Sequence, residues 1–523
     1  MDERPQASPR PVGLVAALLA CAIAVVSLFH YTGTALKLAE QYVRVMGPAN
    51  NEFKARTLTM QKAALKMNNV LLVYGTSELY CCAGSSNAGY FYQYAPTGFS
   101  VMSVGYPVTA DLFWAETFGA LGNNLHGRKL VVSDSPWFFA PTTLDGGITA
   151  TRYDNTYEPE IAAVFTFDAP IPLALRAAVA RRMVDFPSTL ANQSVLQAGL
   201  MDLSRGGVVG YGAYLLVDPV GRLVAWSDEL YDARTTIQTL NGMAHPGLAP
   251  EPLASLPKWR RLTDALDLTR DPLVATPTTT KPLNPNVPVK PQNINWNAEL
   301  ASTTTQALAA SAGNPFGVQG GRLGSCGDIE PIGGSMCAQA VDLYNQGKSN
   351  HNGTVLPLPP NFLQQVTECE CWTDLNLEME TLRSVGAKPL MWMQPVEGFL
   401  ADYTPYSAPT RRAIYDRYMA MAKADGITAT TFETHDDDPL FEDSFGHFSQ
   451  RGWLFADRLI NLYFHNQLSE VASALRAGGG TGSLFSPSLN CPQASWCQGV
   501  DNVPALPGEL ANLPEGMPSL WKN

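Results

Sequence analysis

Charged side chains are scarce in this sequence of 523 residues, and basic side chains are the scarcer kind. Only 16% of the residues are charged, and the 47 acidic residues outnumber the 35 basic ones, which gives a formal net charge of −12. Proteins that bind nucleic acid need clustered lysine and arginine to contact the phosphates, and no such cluster stands out. We therefore expect no nucleic acid partner.

The sequence also lacks the ligand spacings that mark common metal sites. Its nine cysteines include no C-x2-C pair, the spacing that structural zinc sites usually show. The acidic run at 435–438 lacks the regular ligand spacing of a calcium-binding loop, which favours a solvated acidic loop. We therefore predict neither a metal nor a cofactor.

A long apolar run occurs at the N-terminus and predicts a membrane anchor. Residues 12–29 are apolar or small throughout, which is long enough for a helix to span a bilayer, and Arg4 and Arg10 precede them. A cleaved signal peptide shares this charged start, but no small-x-small cleavage site follows Phe29. Basic residues on the short side predict a cytoplasmic N-terminus and an extracytoplasmic body, on the periplasmic or cell-surface side of the membrane.

Eight of the nine cysteines follow this apolar run, and an even number in an exported body predicts disulfides. Two cysteine pairs flank short loops and are therefore candidates for local disulfides, Cys326/Cys337 and Cys491/Cys497. The other four cysteines would then form disulfides between segments that are distant in sequence, Cys81 and Cys82 with Cys369 and Cys371.

Short strands alternate with helices through most of the chain, an order that predicts parallel strands and an α/β fold. The predicted strands are 70–74, 129–132, 389–393 and 428–432, and a hairpin is predicted from 211–217 and 222–226 on either side of a Pro-Val-Gly turn. Apolar spacing predicts one or two helices within 35–67, and further helices at 111–125, 173–183, 188–203, 372–385, 411–424 and 452–464.

Composition sets the expected boundaries. Residues 1–34 form the anchor, with the membrane span at about 12–29, and residues 35–470 form the extracytoplasmic domain. Residues 275–293 are rich in Pro, Thr and Asn and predict an insertion or surface crossing. Residues 471–523 form a Gly/Pro-rich tail without a core pattern.

The first motif with chemical meaning is the turn at 75–78, directly after the predicted strand 70–74. At the carboxyl end of a parallel strand, Ser77 would lie where ligands bind in open α/β sheets. Its backbone N–H could also stabilise an oxyanion. A serine near a helix start is commonly just an N-cap, so this motif alone does not establish a nucleophile.

The second motif is the segment 443–447, on a loop before an apolar helix that opens with Gly452. A neutral histidine can accept the serine proton, and a carboxylate a few residues earlier can fix its tautomer. Asp443 is the preferred acid, and Glu442 is its nearest competitor. Together the two motifs predict a catalytic triad of Ser77, His447 and Asp443.

Six motifs follow one another along the chain in the order seen in the DltD family. They are YGTSE (74–78), SPWF (135–138), NPFG (314–317), WTDL (372–375), QPVEG (394–398) and His447 followed by Gly452-Trp453. Six motifs in order are much more specific than any one of them. From about residue 35 to 464, the sequence resembles this family of membrane-anchored, SGNH-hydrolase-like proteins of D-alanyl-lipoteichoic acid synthesis.

The resemblance implies an SGNH-type three-layer α/β/α domain with a parallel central sheet, carried outside the membrane by the N-terminal transmembrane helix. It implies Ser77 as nucleophile, His447 as base and Asp443 as orienting acid, although Asp443 lies four residues before His447 where the family usually has three. It also implies Gly105 as a second oxyanion-hole position beside the N–H of Ser77.

The resemblance further implies a ping-pong acyl transfer, in which Ser77 receives an acyl group, D-alanyl or similar, and passes it to a hydroxyl of an envelope glycopolymer. The implied partners are a membrane-bound O-acyltransferase similar to DltB, the acceptor polymer and an acyl carrier. Two alternatives stay open. The protein could hydrolyse the acyl ester or thioester, or it could be a non-catalytic adaptor that docks an acyl carrier or the membrane acyltransferase.

Overall fold

A computed structural model describes most of the predicted extracytoplasmic domain. The described residues are 31–79, 87–93, 95–139, 153, 156–191, 193–243, 294, 299, 362–396, 401, 406–436, 441–444 and 447–467, with Val15 and Leu19. Both of these N-terminal residues are helical and exposed. The rest of the predicted membrane span, the insertion and the tail lie outside the described residues.

A parallel five-stranded sheet forms the centre of the domain. Its strands are β1 (Val70–Gly75), β2 (Ser100–Gly105), β3 (Lys129–Asp134), β4 (Lys388–Met393) and β5 (Thr428–Thr431). They lie side by side in the order β2-β1-β3-β4-β5, and all four pairings are parallel. A parallel sheet is buried on both faces, which explains why β1 and β2 are buried along their whole length.

Helices make up most of the remaining described chain. In chain order they are α1 (31–42), α2 (Asn51–Arg56), α3 (Leu58–Lys66), α4 (Ala88–Phe91), α5 (Asp111–Leu121), α6 (Pro159–Asp168), α7 (Leu173–Met183), α8 (Ser194–Arg205), α9 (Gly207–Asn241), α10 (Phe362–Glu368), α11 (Cys371–Ser384), α12 (Ala408–Asp425) and α13 (Gln450–Phe464).

These helices cover both faces of the sheet and complete three layers. Helices α3, α5, α11 and α12 contribute to the core on what we call the first face, and α4 and α13 to the core on the second face. Successive strand residues point to opposite faces, so Leu72 and Tyr74 belong to the first core and Leu71 and Val73 to the second. The predicted α/β/α architecture with a parallel sheet is confirmed.

The four predicted strands of the sheet are confirmed to within a few residues, as are the helices predicted at 111–125, 173–183, 372–385, 411–424 and 452–464. The helix predicted at 188–203 begins later, at Ser194. The region 35–67 contains three short helices rather than one or two.

The predicted hairpin at 211–217 and 222–226 is wrong, because both runs belong to the single long helix α9. Its buried positions Gly210, Tyr214, Gly221 and Ala225 recur at helical spacing. A Cβ atom at Gly221 would lie 2.1 Å from the ring of Phe167, so this glycine permits close packing against α6 instead of forming a turn. Among the described residues, α9 is also the one helix long and apolar enough to cross a membrane by length and composition.

The expected pairing of Cys369 and Cys371 with Cys81 and Cys82 is also wrong. Cys369 and Cys371 form a disulfide with each other at the start of α11. Their Cα atoms are 5.2 Å apart, within the range that a disulfide can bridge. Cys81, Cys82 and the two predicted local pairs lie outside the described residues.

The acidic run at 435–438 is not simply a solvated loop. Asp436 is buried and accepts hydrogen bonds from Arg411 Nε and Tyr415 Oη, each at 2.9 Å. His435 is also buried and stacks on Phe441, with ring centroids 4.1 Å apart. The first two residues of the run therefore belong to the packed interior, since their polar atoms and rings find partners there.

Candidate active site

The predicted nucleophile lies on a tight turn at the carboxyl end of β1. Ser77 begins a 3-10 turn, Ser77–Leu79, and it is partly exposed between buried neighbours. The carboxylate of Glu78 folds back on the turn: it accepts the backbone N–H of Thr76 at 2.8 Å and the Thr76 hydroxyl at 2.5 Å. A Cβ atom at Gly75 would lie 2.1 Å from this carboxylate, so a larger residue there would displace the Glu78 side chain from the turn.

Asparagine side chains hold the far end of the turn. Asn51 Nδ2 and Asn87 Nδ2 both donate to the backbone carbonyl of Leu79, at 2.9 Å and 3.2 Å. Asn87 is also the N-cap of α4, where its Oδ1 accepts the N–H of Gly89. Our sequence analysis missed both residues, because isolated asparagines in a loop and a helix carry no motif.

The predicted base meets the predicted nucleophile. His447 begins β7 (His447–Phe448), which pairs with β6 (Glu442–Ser444) in a small antiparallel ribbon. Ser449 caps α13 by accepting the N–H groups of Arg451 and Gly452, and so fixes the chain immediately after the ribbon. The ribbon brings His447 Nε2 to 2.9 Å from Ser77 Oγ, although the two residues are 370 positions apart.

The surroundings of His447 favour its neutral form. Burial of the ring lowers its pKa from 6.5 to about 4, because a charged imidazolium is poorly solvated there. At neutral pH the unprotonated Nε2 can therefore accept the Ser77 proton, with the ring proton on Nδ1. The pair can act as nucleophile and general base.

The orienting acid stays a prediction. Asp443 lies at the centre of β6, but its side chain is outside the described part of the structure. Its competitor Glu442 is buried, and the register of the ribbon puts it opposite Phe448, next to the histidine.

Gly105, the predicted second oxyanion position, lies beside the nucleophile turn. It ends β2 opposite Gly75, and a Cβ atom there would lie 3.0 Å from the Gly75 carbonyl oxygen and 3.1 Å from that of Thr76. A larger side chain would crowd this turn, so glycine allows the two backbones to approach. The role of its N–H in binding an oxyanion stays a prediction.

A second group of polar residues connects the neighbouring strand ends to the turn. Ser133 Oγ, near the end of β3, accepts hydrogen bonds from Trp392 Nε1 at 2.7 Å and Gln394 Nε2 at 2.9 Å. The Ser133 hydroxyl in turn hydrogen-bonds the Glu78 carboxylate. Three adjacent strands, β1, β3 and β4, thus contribute to the support of Ser77.

The next residue along β3 belongs to a group of acids that our sequence analysis missed. Asp134, Asp111 and Glu378 are all buried, and one carboxylate oxygen from each lies within 4.8 Å of the others. They come from β3, α5 and α11, and no sequence spacing joins them. Carboxylate oxygens are the ligands that hard cations prefer, so these residues could hold a metal.

Comparison with known proteins places the chain in a family. The family described as DltD protein matches residues 48–321 and 364–465, more than half of the chain and including both Ser77 and His447. The chain belongs to the DltD family. Protein DltD of Bacillus subtilis (strain 168) is 22% identical over 454 residues, which cover 87% of this chain and 96% of that relative. Membership in the DltD family supports a role in acyl-group chemistry at the cell envelope.

Proposed function

We propose that this DltD-family protein is an extracytoplasmic serine acyltransferase that moves an acyl group, D-alanyl or similar, onto a cell-envelope polymer. The observation that carries the proposal is the 2.9 Å contact between Ser77 Oγ and His447 Nε2 at the carboxyl edge of the sheet. The low pKa of His447 adds support, since a general base must be unprotonated to act.

The first half-reaction forms an acyl-enzyme. His447 Nε2 takes the Ser77 proton as Oγ attacks the carbonyl carbon of an activated acyl donor. The N–H groups of Ser77 and Gly105 are the proposed donors to the resulting oxyanion. As the tetrahedral intermediate collapses, the bond to the donor's leaving group breaks, and that group receives the proton from His447.

The second half-reaction reverses these roles with a new nucleophile. His447 takes the proton from an acceptor hydroxyl, whose oxygen attacks the acyl carbon on Ser77. The bond from the acyl carbon to Ser77 Oγ then breaks, and Oγ recovers a proton from His447. Asp443 is the proposed acid that keeps the imidazole in the required tautomer.

Family membership also underlies the proposed partners and location. The acyl donor would come from a membrane-bound O-acyltransferase similar to DltB, served by an acyl carrier, and the acceptor would be an envelope glycopolymer. The chain would be anchored by its N-terminal segment as a single-pass membrane protein. Deletion of residues 1–34 should then move the protein from the membrane fraction to the soluble fraction.

Labelling with a fluorophosphonate probe tests the catalytic proposal. The wild-type protein should form a covalent adduct of the expected mass, and Ser77→Ala should form none. Ser204→Ala is the matched control, because Ser204 is a partly exposed serine on α8, far from His447 in sequence, whose hydroxyl donates to the Met201 carbonyl. Equal labelling of wild type and Ser77→Ala would reject Ser77 as the nucleophile.

Two further outcomes separate the alternatives. If the acyl-enzyme forms, its partition between added glycerol and water distinguishes a transferase from an esterase or thioesterase. A folded wild-type protein that resists labelling yet co-purifies with a membrane acyltransferase would instead identify an adaptor.

A further inference from the structure

Three buried carboxylates converge on the first face of the sheet, away from His447. Asp111 is the first residue of α5, Asp134 is the last residue of β3, and Glu378 lies in the middle of α11. They are 5%, 3% and 0% exposed, so water does not solvate their charges. Nothing in the proposed acyl transfer uses them.

The protein around these acids supplies few compensating groups. Asp134 Oδ2 accepts a hydrogen bond from Tyr418 Oη at 2.6 Å. Within the described part of the chain, neither carboxylate oxygen of Glu378 has a hydrogen-bond partner, and no lysine or arginine forms an ion pair with any of the three acids. The nearby Arg182 is committed to Asp374, one turn before Glu378 on α11.

Buried carboxylates at such close range must take up protons, singly or shared, or gain a counter-charge. A shared proton requires two oxygens within hydrogen-bond distance, about 2.5–2.7 Å for a charge-assisted pair. Glu378 makes no such bond within the described residues, although one of its oxygens lies within 4.8 Å of the other two acids. Among the described residues, Glu378 therefore gains no stabilisation from a hydrogen-bond donor.

The limit on the separation of the three oxygens is compatible with a bound cation. Oxygen ligands lie about 2.3–2.6 Å from calcium, so neighbouring ligands are about 3.3–3.7 Å apart and opposite ligands about 4.6–5.2 Å apart. An upper limit of 4.8 Å among the three oxygens falls within this range. The three oxygens also come from three elements that are distant in sequence and that the fold brings together.

We propose that Asp111, Asp134 and Glu378 bind one hard divalent cation, such as calcium or magnesium. The cation would tie β3 to α5 and α11 and balance most of the buried negative charge. Because Asp134 directly follows Ser133, which supports Glu78 and the nucleophile turn, the ion would stabilise the framework behind Ser77 without touching the reacting atoms. This inference does not depend on the proposed acyl transfer.

The test measures metal content and thermal stability of the full-length protein purified in detergent. We expect about one equivalent of divalent metal per chain by elemental analysis, removable with EDTA. Adding calcium or magnesium in excess to the stripped protein should raise its Tm by several degrees, since a ligand that binds only the folded state stabilises it. Zinc, which prefers nitrogen and sulfur ligands, should be less effective.

Glu378→Gln is the decisive variant, because it keeps the shape of the side chain and removes its charge. It should lose the bound metal and the metal-dependent rise in Tm. Without metal, it should be at least as stable as the stripped wild type, since a neutral amide replaces an acid that is buried beside two others. A variant that loses metal binding but not metal-free stability has lost a metal ligand. A variant that is merely misfolded would be less stable in both states.

Glu116→Gln is the matched control. Glu116 is equally buried on α5, but it hydrogen-bonds Tyr153 and lies outside the group of three. This variant should retain the metal response. Absence of metal from the wild type, together with the same Tm in calcium, magnesium and EDTA, would overturn the proposal, as would a full metal response in folded Glu378→Gln.

Discussion

At the carboxyl edge of the sheet, ionisable groups have different surroundings on the two faces. On the second face, where Phe448 packs, the neighbouring His447 reaches a partly exposed serine and is held neutral by burial. On the first face, Asp111, Asp134 and Glu378 are sealed from solvent without a basic partner among the described residues. Burial disfavours charge in both places. The histidine is thereby kept unprotonated, whereas the three acids must take up protons or gain a counter-charge.

The largest expected effect concerns Ser77 and His447 and follows from the proposed acyl transfer. Ser77→Ala and His447→Ala should each lower acyl transfer by at least about 10³-fold, because members of a catalytic triad act as a unit. The double variant should transfer acyl groups no more slowly than the less active of the two single variants. Rates of acyl transfer to an added acceptor, followed by mass spectrometry of the product, check this, and additive losses would argue against a coupled pair. Neither substitution should change the metal content.

The next effect identifies the acid. Asp443→Asn should slow acyl transfer by about 10²- to 10⁴-fold, since the wrong tautomer of His447 cannot accept the serine proton. Glu442→Gln should have a much smaller effect on the same rate. The reverse ranking, in variants with wild-type circular dichroism spectra, would assign the acid to Glu442.

A third prediction concerns the pH dependence of labelling. If desolvation alone sets the pKa of His447, the labelling rate should be constant above about pH 5 and fall about tenfold per unit below pH 4, as Nε2 becomes protonated. An ionised Asp443 beside the ring would raise this midpoint, because it stabilises the imidazolium. Asp443→Asn should then move the midpoint down, and an unchanged midpoint would argue against contact between the two side chains.

The smallest expected effect is on the pH dependence of stability, and it concerns a single buried acid in contrast to the group of three. Asp457 on α13 is fully buried, and desolvation raises its pKa well above the usual value. The folded state therefore keeps a proton that the unfolded state loses above about pH 4, so stability falls as the pH rises.

Asp457→Asn should remove this slope, which is at most about 1.4 kcal/mol per pH unit for one proton. Urea unfolding of the two proteins between pH 5 and 8 measures the difference. The slope should be the same with calcium and with EDTA, unlike any effect at Glu378. A calcium-dependent effect of Asp457→Asn would contradict the expectation that only the acids on the first face respond to metal.

The sequence allowed four of the five strands, and Ser77 and His447 as a pair, to be predicted because these segments leave local signals. Strand β1 is a continuous apolar run that ends in a glycine turn, and the histidine precedes a capped amphipathic helix. The amphipathic periodicity of α13 likewise identified it as a helix. In these segments local propensity and tertiary packing agree.

Other features could not be predicted, because they depend on contacts between distant residues. The proline and glycine in α9 resemble a turn until Phe167 is known to pack against Gly221. Asp111, Asp134 and Glu378 are ordinary acids in separate elements until the fold brings them together. The acid of the triad is ambiguous for a different reason, since two adjacent residues offer the same chemistry.

The pairing of β3 with β4 has a consequence for how the fold tolerates change. Val132 lies opposite Met391, 259 positions later, so almost half of the chain is inserted between two adjacent strands. The entropy of closing a flexible loop grows only with the logarithm of its length, about 0.6 kcal/mol for each doubling. Segments between β3 and β4 can therefore lengthen or shorten in related chains at small thermodynamic cost, while the edge that carries Ser77 keeps its geometry.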